Sequence, residues 1–114
     1  MIEIKTQEEL DVFLKSSRYH IVEIFTQSCA PCKAQASIID SEALTLLKLG
    51  ITTAKIDVEN QVLSSMTEGV TSAPTLRLMT DDGRVISERV GLQTIFALRS
   101  WMTPFVIEID ENSI

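Results

Sequence analysis

Cys29 and Cys32 are the only cysteines in the chain, and Ala30 and Pro31 separate them. On a helix, residues three apart have Cα atoms about 5 Å from one another, a separation a disulfide accepts without backbone distortion. The pair can therefore pass between dithiol and disulfide with little motion. Cys29 falls where a β-branched and aromatic run gives way to a helical pattern, so it sits at a helix start. Unpaired backbone N–H groups and the positive end of the helix dipole favour a thiolate there, and Cys29 reads as the nucleophile. Cys32, one turn further in, is better shielded and reads as the resolving thiol that attacks a mixed disulfide. Pro31 suits the first helical turn, where its missing N–H costs little. Two other readings stand beside this one: a pair of buried inert thiols, or half of a zinc site. The zinc reading lacks a second cysteine pair, and His20 is the single histidine, so neither a metal nor a cofactor is expected.

The elements that would position these sulfurs can be traced along the chain. Residues 2–4 alternate as a short strand. Thr6 stands three residues before Glu9 in a capping-box spacing, and Leu10, Phe13 and Leu14 repeat at helical intervals to about Ser16. Residues 19–26 form a strand leading into the cysteine motif, followed by a helix marked by Ile38, Ile39, Ala43, Leu46 and Leu47 and stopped at Gly50. Residues 51–58 read as a strand, and Asn60 can cap a short helix to about Glu68, before Gly69. Thr75–Thr80 and residues 84–90 flank Asp81-Asp82-Gly83, whose Asp-Gly pair supplies a hairpin turn. Thr94 caps a last helix carrying Ile95, Leu98 and Met102, which Pro104 is expected to end; residues 104–114 form a tail that reads equally as an edge strand, a packed flap or a disordered segment.

This alternation predicts an α/β fold: a mixed five-stranded sheet, three parallel strands plus a late antiparallel hairpin, flanked by four helices. A length of 114 residues, with 45% hydrophobic and 23% charged residues, suits one domain spanning 1–114. The net charge of -6 repels phosphate backbones and anionic lipid, so neither nucleic acid nor membrane is expected as a partner. Charged residues interrupt every apolar stretch before it reaches spanning length, and the first residues resemble neither a secretory signal nor a transit peptide. A cytoplasmic location is expected, and two cysteines this close suit redox chemistry in a reducing compartment.

The chain resembles the thioredoxin family from about Ile2 to Met102. Cys-Ala-Pro-Cys-Lys at 29–33 is similar to the family's Cys-Gly-Pro-Cys-Lys, and Ser72-Ala73-Pro74-Thr75 to its small residue, cis-proline and Thr before the late hairpin. Val90-Gly91 resembles the Val-Gly after that hairpin. Glu23 occupies the position, six before the first cysteine, where the family carries a buried Asp, and Ala54-Lys55-Ile56-Asp57 resembles the strand whose Lys partners that acid. The resemblance implies a cis Ala73–Pro74 peptide beside the sulfurs, exposing Ala73 backbone groups to an extended substrate segment. It implies that Glu23 is a proton acceptor under Cys32, moderated by Lys55. A carboxyl inside an otherwise apolar strand is desolvated and its pKa rises, which suits general-base work; the alternatives are a solvent-facing acid on an edge strand and a trans turn proline. Ala30, Pro31, Ala73, Pro74, Val90, Gly91 and Leu92 would form an apolar collar around Cys29 for docking a partner protein. Departures are Ser28 and Phe25, where the family places Trp, and Ser37, where it places a helix-kinking proline. Trp101 reads as core or rim, Met66, Met79 and Met102 as core, and His20 as a surface residue opening its strand.

These readings predict a dithiol–disulfide reductase acting on disulfide-containing proteins, regenerated by a reductase of the kind that serves thioredoxins, and working as a monomer in electron transport and redox homeostasis. The alternative from another class is a thioredoxin-fold binding module or accessory subunit whose cysteines are dispensable. A thiol oxidase or isomerase is a further rival.

Overall fold

All seven residues of Tyr19–Phe25 are buried, which only a strand covered on both faces and paired on both edges achieves. In the computed structural model, which describes the backbone over residues 1–113 and side chains over residues 1–106, this strand is the middle of a five-stranded sheet. The elements in chain order are β1 (Ile2–Glu3), α1 (Gln7–Lys15), β2 (Tyr19–Phe25), α2 (Ala30–Lys48), β3 (Ile51–Asp57), a 3-10 turn (Gln61–Leu63), α3 (Ser64–Thr67), β4 (Thr75–Thr80), β5 (Val85–Val90) and α4 (Ile95–Ser113). The sheet order is β1-β3-β2-β4-β5; the first three strands are parallel to one another, β4 pairs antiparallel with β2, and β5 pairs antiparallel with β4.

Local chemistry sets the boundaries. Thr6 Oγ1 accepts the Glu9 N–H at 3.1 Å and opens α1. Asn60 Oδ1 accepts the Val62 N–H at 3.0 Å and opens the turn before α3. Gly50, at φ +80°, lets the chain leave α2 through the left-handed region that side chains disfavour.

Because side chains alternate along a strand, β2 feeds two cores. Val22 and Ile24 join Leu10, Phe13, Leu63 and Met66 on the α1 and α3 side; Tyr19 and Ile21 join Ile39, Leu46, Leu98 and Trp101 on the α2 and α4 side. Glu23 has the parity of Tyr19 and Ile21, so its carboxyl points toward α2.

Two particulars depart from the sequence reading. Pro104 does not end α4, which runs through it. A proline inside a helix costs about 3 kcal/mol, but Phe105 and Val106 continue the stripe of Leu98, Trp101 and Met102 onto the same core, and that burial offsets the loss. The Thr103 hydroxyl meanwhile donates to the Arg99 carbonyl at 2.8 Å. The tail expected at 104–114 is thus helix as far as Ser113, with Ile114 outside the described residues.

His20 is wholly buried rather than on the surface. Its Nε2 donates to the Leu14 carbonyl at 2.9 Å, a group that can only accept, which leaves Nδ1 to accept the Thr52 hydroxyl at 2.7 Å. Burial lowers its pKa, opposed by the Leu14 and Ser17 backbone and by Asp81. It lies at the end of β2 remote from the cysteines and pairs with no thiol.

Arg77 is a charged residue in a buried strand. Its guanidinium donates to the carbonyls of Met66 at 3.1 Å and Glu68 at 2.6 Å and to Glu88 at 2.7 Å, tying the end of α3 to β4 and β5.

Candidate functional site

Cys29 is the N-cap of α2, and its Sγ accepts the Cys32 N–H at 3.1 Å. The helix-start geometry expected from the sequence is present: a sulfur at the helix N-terminus, facing a backbone donor whose partial charge favours a thiolate. Cys29 and Cys32 form a disulfide across a Cα separation of 5.2 Å. Cys29 is half-buried, Cys32 only 3% exposed, and Ala30 and Pro31 between them are open to solvent. One sulfur is thus reachable from outside and the other is approached from within.

Across from the sulfurs, the chain enters β4 through a cis Ala73–Pro74 peptide. The Ala73 carbonyl lies 3.9 Å from Cys29 Sγ, and Thr75 Oγ1 donates to the Ser72 carbonyl at 2.7 Å, fixing the loop before the strand. The Gly91 N–H donates to the Pro74 carbonyl at 2.8 Å, which places Gly91 and Leu92 beside the same loop. Gly91 adopts φ +86° there. Val90 and Leu92 are exposed, Ala73 and Gly91 half-buried, and Pro74 buried beneath them. The structure brings the expected collar residues onto the cysteine end of the sheet.

Behind the disulfide, Glu23 and Cys32 line one cavity of about 100 Å³ together with Phe25, Lys33 and Lys55. Glu23 is fully buried, and neither carboxylate oxygen has a hydrogen-bond partner among the described residues. Burial pushes its pKa from the ordinary 4.5 up to about 7; the Lys55 charge draws it down and Asp40 adds to the rise. Lys55 stands opposite Glu23 in the β2–β3 register, but its ammonium lies 4.9 Å from the centroid of the Phe25 ring. It acts on Glu23 through space rather than by a direct ion pair.

Two features of this region escaped the sequence reading. Gln27 Nε2 donates to Asp57 Oδ2 at 2.7 Å, which ties the segment before Cys29 to the end of β3. Gln35 is fully buried in α2, in the stripe otherwise formed by Cys32, Ile39 and Leu46, and bonds the backbone of Gln93. A polar residue on an apolar helix stripe was the available signal; its partner, 58 positions away, had none. Among the described residues, no cluster of His, Cys, Asp and Glu could hold a metal and no helix is long and apolar enough to cross a membrane.

Comparison with known proteins gives the same frame. The family model described as Thioredoxin matches residues 1–104. A thioredoxin of Chlamydia pneumoniae is 31% identical over 93 residues, covering 82% of this chain and 87% of that protein. Among solved structures, a mutant thioredoxin from Halobacterium salinarum aligns with TM-score 0.74 and 26% identity over 92% of this chain and 89% of that one. A Plasmodium falciparum thioredoxin, at 24% identity and TM-score 0.75 over 92% and 99% of the two chains, shares the fold.

Proposed function

Since the chain belongs to the thioredoxin family and is a thiol–disulfide oxidoreductase with Cys29 and Cys32 as its redox centre, we propose that it runs in the reducing direction, on disulfide-containing proteins. The observation that carries this reading is the asymmetry of the pair: a reachable Cys29 sulfur at a helix start, and a Cys32 sulfur enclosed with a buried carboxyl behind it.

In the reduced protein, the Cys29 thiolate attacks one sulfur of a substrate disulfide. A Cys29–substrate disulfide forms and the other substrate sulfur leaves as a thiolate. Glu23, ionised in part near neutrality, takes the Cys32 proton, and the Cys32 thiolate attacks Cys29 Sγ. The Cys29–Cys32 disulfide forms, the second substrate thiolate leaves, and two electrons have passed to the substrate. Lys55 tunes Glu23 so that the carboxyl neither holds its proton throughout nor loses it too early. Ala30, Pro31, Ala73, Pro74, Gly91 and Leu92 supply the surface on which an extended substrate segment lies, with Ala73 offering backbone groups for pairing. A thioredoxin-reductase-type donor restores the dithiol, and the chain works as a cytoplasmic monomer in redox homeostasis.

Insulin reduction driven by a thiol reductant tests the reading. Wild type accelerates it and Cys29→Ser falls to background; equal performance of the two makes the fold a binding module with dispensable cysteines. A reduction potential near that of reductants, about -270 mV, supports the direction, whereas a value above about -200 mV points to an oxidase or isomerase.

A further inference from the structure

We infer that Gln35 is a positioning residue that fixes the docking rim at residues 91–93 to the helix bearing the cysteines, and so sets affinity for protein disulfides; this rests on the reductase reading above. The Gln35 amide is fully buried one turn beyond Cys32. Its Oε1 accepts the Gln93 N–H at 2.6 Å and its Nε2 donates to the Gln93 carbonyl at 3.2 Å. One side chain thus satisfies both backbone groups of one rim residue.

From there two further hydrogen bonds lead to the proline loop. Gln93 Nε2 donates to the Gly91 carbonyl at 3.0 Å, and the Gly91 N–H donates to the Pro74 carbonyl at 2.8 Å. Ala73, the next residue back, puts its carbonyl 3.9 Å from Cys29 Sγ, and Cys29 caps the helix that carries Gln35. Rim and proline loop are therefore held in one mutual register beside the nucleophile. Slipping the rim by one residue breaks both Gln35 bonds and leaves an unpaired amide in the core, a costly arrangement.

The stripe around it is Cys32, Ile39 and Leu46, so an apolar side chain of similar size would fill the space but leave the Gln93 N–H and carbonyl without these partners. What the amide adds is a fixed position for the segment carrying exposed Leu92, where an incoming polypeptide finds a rim already ordered and loses less entropy on binding. A small disulfide touches the sulfurs without needing that rim.

The test compares wild type with Gln35→Leu, and with Gln35→Met as a second variant should Leu fold poorly, on insulin and on 5,5′-dithiobis(2-nitrobenzoate). We expect KM for insulin to rise about three- to ten-fold, the equivalent of one buried hydrogen bond. The rate with the small disulfide should stay within about two-fold of wild type, as for a loss confined to binding. Amide exchange at Gln93 should become fast in both variants. Insulin KM equal to wild type, or a small-disulfide rate that falls in parallel with insulin turnover, overturns the positioning role while leaving the reductase reading intact. A wild type that reduces neither substrate overturns the reductase reading and this inference with it.

Discussion

Glu23 and Lys55 face each other in register across β2 and β3, yet they do not pair: the lysine ammonium lies over the Phe25 ring and the carboxylate is left without a hydrogen bond among the described residues. A carboxyl so placed is held close to the pH at which the protein would work, at about 7. Glu23→Gln should therefore slow the attack of Cys32 on the mixed disulfide while leaving the first attack by Cys29 nearly unchanged. Mixed disulfides should accumulate in stopped-flow turnover, and the pH dependence of resolution near 7 should disappear. Equal resolution rates in the two proteins would exclude the proton-acceptor role.

The same carboxyl makes stability depend on pH. Its folded-state pKa is raised, so the folded chain keeps a proton that the unfolded chain releases between the ordinary 4.5 and about 7. That contribution is full below 4.5 and is lost as pH rises through about 7. Urea melts at pH 5 and pH 8 should show Glu23→Gln gaining on wild type at the higher pH, by up to about 3 kcal/mol. His20 titrates with the opposite sign, its pKa being lowered, but it is common to both proteins and drops out of the difference.

Thiol reactivity should be as unequal as the burial of the two sulfurs. In the reduced protein at neutral pH, brief iodoacetamide treatment followed by peptide mapping should find the label on Cys29, with an apparent pKa below the free-thiol value of about 8.5. Label found first on Cys32 would reverse the assignment.

Arg77 gives a prediction about stability alone. Arg77→Met strips the Met66 and Glu68 carbonyls of their donors and should cost about 2–4 kcal/mol in urea melts. Glu88, whose side chain is 38% exposed, keeps its water when the charge is removed, and Glu88→Gln should cost less than about 1 kcal/mol. Comparable losses would place the energy in the ion pair instead of the carbonyl bonds.

The parts of the fold that were legible in the sequence are those whose cause is local. Thr6, Gly50, Asn60 and the Asp82-Gly83 turn act within a few residues of themselves, and each sits at the boundary expected of it. The motif pair Cys29 and Cys32 is local too. What stayed hidden depends on distant partners. His20 is enclosed by Leu14 and by Thr52, 32 positions on, Gln35 by Gln93, and Arg77 by the end of α3 and by β5. A polar side chain in a core is explained only by what it meets there. Pro104 misled for a related reason: its local preference to stop a helix is outweighed by the apolar face that Phe105 and Val106 extend beyond it.

Trp101, the single tryptophan, donates its indole N–H to Ser87 Oγ at 2.8 Å beneath the Arg89 guanidinium. Ser87 pairs with Leu78, three residues along β4 from Thr75, which opens that strand beside the disulfide, a distance of about 10 Å at strand rise. With Ser28 and Phe25 flanking the cysteines, no indole adjoins the sulfurs to be quenched by them. The emission of this chain therefore reports how α4 sits on the hairpin, at a position set apart along the strand from the cysteine motif. One optical signal can follow the unfolding of the oxidised and the reduced protein alike, and the gap between the two curves measures how strongly the fold prefers a closed bond to two open thiols.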